Sequence, residues 1–168
     1  MADAILTAER LREVLHYEPE SGAFTWLVTL SNRAPAGSKA GAHNKYTKYT
    51  SISIQGKLHR AHRLAWLYVT GAWPDRFVDH INGERSDNRW ANLRQANGSL
   101  NQQNLRASRG DTCSGLLGVY QTDKKSHPWR ASITVDGKDR HIGNFETKDE
   151  AYCAYLKTKR AMHEGCTI

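Results

Sequence analysis

The sequence predicts an α+β protein made of two small units, each with short antiparallel strands and helix. Three observations carry this. The chain has 168 residues and 19.0 kDa, enough for one ordinary domain or two small ones. Some stretches alternate apolar and polar residues while others repeat them at i, i+3, i+4, so strand and helix periods are both present. Residues 106–114, RASRGDTCS, show neither period and separate two patterned regions. We therefore expect domains at 1–107 and 114–168, joined by a linker at 108–113.

Thr7 can cap a first helix, with Leu11, Val14 and Leu15 on its apolar face. Pro19 and Gly22 break that pattern, and Ala23 to Leu27 alternates as a strand around Phe24 and Trp26. Residues 31–48 are rich in Gly, Ser, Asn and Lys and read as a long basic loop. Tyr49 to His59 reads as a hairpin turning at Gln55-Gly56. A helix over Arg60–Thr70 follows, stopped by Gly71, then a short strand Phe77-Val78-Asp79-His80. Residues 82–104 are crowded with asparagine, which favours turns and special backbone angles. Asn97 to Ser99 reads as the entry to a helix through Asn101 and Leu105. Beyond residue 114, GLLGVYQT, PWRASITVDGK and DRHIGNFE read as three strands, with Asp136-Gly137 as a hairpin turn. Asp149 to His163 reads as one helix.

Lys and Arg number 24 against 17 Asp and Glu, a net charge of +7. No acid occurs between Glu20 and Asp75, yet that stretch holds Arg33, Lys39, Lys45, Lys48, Lys57, Arg60 and Arg63. Such a stretch collects polyanions, because each neutralised phosphate releases a condensed counterion. No apolar run approaches the ~18 residues of a membrane span. The acids and arginines within MADAILTAERLREVL do not suit a signal peptide. Three cysteines without a C-x-x-C do not suit a zinc site, and they fit reduced thiols in the cytoplasm.

The chemistry concentrates in Asp79-His80, followed by Asn92 and Asn101. Phosphodiester hydrolysis must overcome an anionic centre and a poor leaving group. A hard divalent cation held by carboxylate and amide oxygens, Mg²⁺ or Mn²⁺, addresses both. An imidazole can take a proton from water if a hydrogen-bond acceptor fixes its second nitrogen. The stretch His62 to Asn104, with its pattern D-H-I-N-G-x₃-D-N-R-x₂-N-L-R, resembles the HNH endonuclease family of the phage and intron-encoded homing type. LREVLHYEPESGAFTW and SISIQGKLHRAHRLAW resemble the leading segment of the same proteins. The resemblance implies a ββα-metal core over about 76–106. In it Asp79 and Asn101 bind the metal, His80 is the general base and Asn92 orients it. The cation would also stabilise the departing 3′ oxygen, leaving 5′-phosphate and 3′-hydroxyl ends. Asn97 and Asn104 compete for the place of Asn101. His62 reads as structural or phosphate-contacting, and Asp87, Asn88 and Arg89 as pins of the loop. Arg94 is a candidate for holding the scissile-side backbone, and the basic stretch through Arg60 and Arg63 for tracking phosphates beside the cut.

Residues 114–155, through G-V-Y, W-R-A-S-I, I-G-N-F and E-A-x₂-A-Y, resemble the Apetala/ethylene-response-factor type of DNA-binding domain. That implies a three-stranded sheet entering the major groove, packed on one helix. Alternation puts Trp129, Ala131, Ile133 and Val135 on one face. Tyr120, Arg130, Ser132, Thr134 and His141 fall on the outward face, where they can meet phosphates and base edges. Lys124 and Lys125 lie in the first loop, within reach of phosphates. The expected whole is a monomeric, metal-dependent nuclease of duplex DNA. The rival is a DNA-binding protein that keeps an HNH scaffold without catalysis.

Overall fold

A computed structural model describes residues 6–98, 103–104, 114–163 and 166. The chain is mixed helix and sheet, with small antiparallel sheets, and divides into two compact units at residues 1–97 and 98–168. The linker expected at 108–113 lies outside the described residues.

The first unit opens with α1 (Ala8–Val14), whose N-terminus is capped by the Thr7 hydroxyl accepting from the Arg10 N–H. Leu15 does not continue the helix. It starts β1 (Leu15–Glu18), which pairs antiparallel with β2 (Ala23–Trp26), Leu15 opposite Trp26 and Tyr17 opposite Phe24. Helical spacing and strand alternation coincide at Leu15, and burial of Leu15 and Tyr17 on one face decides for the strand. The basic loop contains two short strands, β3 (Lys39–Ala40) on β2 and β4 (Ala42–His43) on β5 (Thr50–Ile54). β5 turns into β6 (Lys57–Arg60) through Gln55 and Gly56, both at positive φ (52° and 75°), as a two-residue hairpin turn requires. α2 (Ala61–Thr70) ends at Gly71 in the left-handed conformation. It buries Ala61, His62, Leu64, Ala65 and Leu67, and its apolar residues join a core with Leu11, Leu15, Tyr17, Phe24, Trp26, Ile52 and Ile54.

β7 (Phe77–His80) follows where the sequence predicts a short strand. Its partner β8 (Leu93–Ala96) forms inside the asparagine-rich segment and carries no alternation that sequence could show. Val78 and Leu93 anchor this hairpin in the same core. Gly98 is helical, but residues 99–102 and 105 of the expected helix, Asn101 among them, lie outside the described residues.

In the second unit, β9 (Val119–Gln121), β10 (Trp129–Val135) and β11 (Lys138–Phe145) form one antiparallel sheet with β10 central. α3 (Lys148–Met162) starts at a capping box in which Thr147 and Glu150 satisfy each other's backbone N–H. Val119, Ala131 and Ile133 pack with Ala151 and Tyr155 of the helix. Gly118 (φ 67°) lets the helix approach, since a Cβ there would stand 2.1 Å from the Tyr155 ring. The strict alternation expected of β10 fails at Ser132, which is buried. The register with β11 shifts between Ala131 and Ser132, and Ser132 gives its N–H to the Gly118 carbonyl.

Candidate active site

Asp79 and His80 are the last two residues of β7, and both are buried, at 8% and 4% exposure. The ladder sets Asp79 opposite Arg94 and His80 opposite Leu93. Cross-strand neighbours interact directly, and Arg94 donates through Nε (3.2 Å) and Nη2 (3.0 Å) to Asp79 Oδ2. Arg94 is thus a charge partner of Asp79.

The His80 ring is fixed by Asn88, with Nε2 3.3 Å from Asn88 Oδ1. Asn88 uses its own Nδ2 to donate to the Ser86 carbonyl (3.1 Å). That bond fixes the amide orientation, so His80 must be the donor at Nε2, and the basic lone pair lies on Nδ1. Burial pushes the His80 pKa down, and the Asn88 contact and the carboxylates of Asp79, Asp87 and Glu84 partly offset this. Burial thus favours the neutral imidazole, the form in which it can accept a proton.

Asn92 holds the loop instead of the ring. Its Oδ1 accepts from the Asn82 N–H (2.9 Å) and its Nδ2 donates to the Asp87 carbonyl (2.8 Å). Its own carbonyl takes the Ile81 N–H (2.8 Å). The family resemblance implies the orienting contact for Asn92 and leaves Asn88 as a pin of the loop. The geometry gives the direct contact to Asn88, while Asn92 ties down both ends of the loop that carries it. Asp87 is clasped by Arg89 and Asn82, which holds its carboxyl down at about 2. Nothing in the sequence distinguishes Asn88 from its neighbouring asparagines, because only the fold sets which one faces His80.

The β1–β2 hairpin buttresses this loop. The Tyr17 hydroxyl donates to the Asn88 carbonyl (2.7 Å), and Trp90 N–H donates to the Pro19 carbonyl (3.0 Å). Burial holds the Tyr17 phenol protonated well above its usual range. A Cβ on Gly22 would stand 2.4 Å from Arg89 N and from Asn88 C, so the turn lies directly against the loop backbone.

A second imidazole adjoins the first. The ring of His62, on α2, meets that of His80 edge-on at 5.0 Å, and Tyr49 lies 5.3 Å from the one and 6.2 Å from the other. Burial pushes the His62 pKa down to about 3, with His80, Arg63 and Arg60 adding to the effect. Arg60 donates to Ser51 Oγ (3.0 Å) and stacks over Tyr49. Arg63 reaches the Arg76 carbonyl (3.4 Å) and stacks over Trp73.

Asp79 supplies one hard carboxylate, while the side-chain amide oxygens of Asn82, Asn88 and Asn92 are already engaged within the loop. No cluster of three His, Cys, Asp or Glu able to hold a metal exists among the described residues. This donor set fits a cation that keeps several waters and binds through one or two carboxylates, as Mg²⁺ does, better than a closed thiolate-imidazole site.

In the second unit, Tyr120, Arg130 and Asn144 stand in one cross-strand row. Tyr120, Lys124, Thr134 and His141 are exposed, and Arg130 pairs with Asp139 at 2.9 Å. Ser132, being buried, does not share that surface.

No helix among the described residues is long and apolar enough to cross a membrane. Residues 59–103 match the family model described as HNH endonuclease. That span contains Asp79, His80, Asn88, Asn92 and Arg94. No solved structure matches the chain. Protein 3.8 of Escherichia phage T7 is 31% identical over 110 residues, covering 64% of this chain and 87% of that protein. The chain belongs to the family of Protein 3.8 and carries an HNH endonuclease domain at residues 59–103.

Proposed function

We propose that the protein is a metal-dependent endonuclease that hydrolyses phosphodiester bonds of duplex DNA, acting as a monomer in the cytoplasm of a phage-infected cell. The observation that carries this reading is the buried His80 imidazole next to Asp79 on β7, held through Nε2 against the Asn88 side chain. Asp79 and Asn101 would hold one Mg²⁺ or Mn²⁺, which supplies charge neutralisation of the phosphate and of the departing 3′ oxygen. His80 Nδ1 takes a proton from water as the water oxygen bonds to phosphorus. The bond from phosphorus to the 3′ oxygen breaks, leaving a 5′-phosphate and, once solvent returns a proton, a 3′-hydroxyl. Asn88 holds the imidazole, and Asn92 holds the loop that presents Asn88. Arg94, which pairs with Asp79, would hold the backbone on the scissile side.

The second unit would act as an Apetala/ethylene-response-factor-like anchor on duplex DNA. Its three-stranded sheet backed by α3 and the outward Tyr120, Arg130, Thr134 and His141 support this. The rival, a DNA-binding protein without catalysis, differs in one assay. Purified protein is expected to nick or linearise supercoiled plasmid in Mg²⁺ or Mn²⁺, and EDTA to stop it. Unchanged plasmid in both conditions, with DNA binding intact, favours the rival.

A further inference from the structure

Two guanidinium groups sit over a single tyrosine ring next to the His80 imidazole. Arg60 lies 4.9 Å and Arg85 5.1 Å from the centre of the Tyr49 ring, both within the range in which a cation is drawn to an aromatic ring. They come from distant places in the chain, the end of β6 and the loop after β7. Neither has a carboxylate partner among the described residues. Like charges gathered on one ring repel, and an anion between them offsets that cost.

Arg60 donates to Ser51 Oγ and Arg85 to the Thr47 carbonyl, and the surroundings supply two polar atoms without a partner. His62 Nδ1, on a ring packed against Tyr49 and in a residue over nine-tenths buried, has no hydrogen-bond partner. Thr47 Oγ1 is likewise buried and unpartnered, in the residue whose carbonyl accepts from Arg85 (3.3 Å). Buried polar atoms left without partners cost free energy, so each such atom needs a partner to be explained. Guanidinium forks and a hydroxyl share one complementary ligand, the oxygen atoms of a phosphodiester, and His62 Nδ1 can join them in the tautomer that carries its proton there. The Tyr49 ring, flanked by two guanidiniums and two imidazoles, is already taken as a stacking surface, which disfavours a nucleobase.

We infer that Tyr49, Arg60 and Arg85, with His62 and Thr47, form a phosphate clamp beside His80 that grips the backbone of the DNA strand being cut. This rests on the nuclease reading above for the identity of the strand. The clamp makes Tyr49 a scaffold that aims two charges, and His62 a polar contact of the ground-state complex.

The test is the salt dependence of binding. The full-length chain carrying His80→Ala is titrated onto a fluorescently labelled DNA duplex over a range of potassium chloride, alone and with Arg85→Gln, Arg60→Gln or both added. Each arginine change is expected to weaken binding uniformly across sequences. Each should also lower the slope of log K against log salt by about 0.9, the share of one phosphate contact. Arg10→Gln, on α1 and paired with Glu13, is expected to leave the slope unchanged. A slope equal to the parent's in either arginine variant overturns the clamp, as does a slope change seen on single-stranded RNA but not on the duplex. Plasmid cutting by the wild-type chain is scored separately. Cutting with unaltered slopes removes the clamp alone. Altered slopes without cutting keep the clamp as a phosphate site and remove the nuclease.

Discussion

At the scale of single residues, the site separates a chemical group from the groups that hold it. Asn88 tethers the His80 ring, and Asn88→Ala should lower kcat by about 10- to 100-fold while leaving KM for DNA unchanged, as expected for a positioning residue. Single-turnover cutting of a labelled duplex measures this, and a change confined to KM would assign Asn88 to binding instead. His62 gives a pH signature. Its pKa falls from 6.5 to about 3 on folding, so between these values the unfolded chain binds the extra proton. Stability contributed by keeping this ring neutral is complete above pH 6.5 and is lost as pH falls toward 3. Urea unfolding at pH 6.5 and 4.5 should show His62→Phe spared about 2 kcal/mol of the wild-type decline. Equal declines would mean that this imidazole does not stay neutral in the fold. The sequence singles out Asp79 and His80 through the whole pattern D-H-I-N-G-x₃-D-N-R-x₂-N-L-R and its resemblance to the HNH family, since the dipeptide alone is too common to do so. It does not single out Asn88, because the six asparagines from Asn82 to Asn104 look alike until a fold places one against the ring.

At the scale of elements, the loop that carries Asn88 is held by a hairpin far away in sequence, Tyr17 reaching across 71 positions to Asn88. Tyr17→Phe removes the hydroxyl bond to the Asn88 carbonyl and should cost about 1 kcal/mol. Gly22→Ala strains a residue at φ 71° and drives a methyl group into the Asn88–Arg89 backbone. We expect it to cost about 1–3 kcal/mol and to reduce cutting beyond what the lost stability explains. Thermal melting beside plasmid nicking tests both, and a Gly22→Ala chain with full stability and activity would refute the buttress. The strands and helices with strong periodicity, α2, β5, β6, β10 and α3, could be read from sequence alone. β1 and β8 could not. Leu15 satisfies helix and strand spacing at once, and Leu93–Ala96 is a short strand whose pairing depends on β7 lying beside it.

At the scale of the whole molecule, the second unit has its own core, around Val119, Ala131, Ile133, Ala151 and Tyr155. If it anchors the nuclease, deleting residues 111–168 should weaken duplex affinity by roughly tenfold or more, the share of a few phosphate contacts. The single-turnover cleavage rate at saturation should change far less. Gel-shift titration and single-turnover kinetics separate the two, and unchanged affinity would contradict the anchor. The catalytic account as a whole depends on His80 acting as the base. The most direct measurement is to substitute alanine there and follow supercoiled plasmid in Mn²⁺, alongside binding of the same DNA. The expected result is nicking reduced by at least about 10³-fold with duplex affinity within about twofold of wild type. Nicking at the wild-type rate would contradict the mechanism outright.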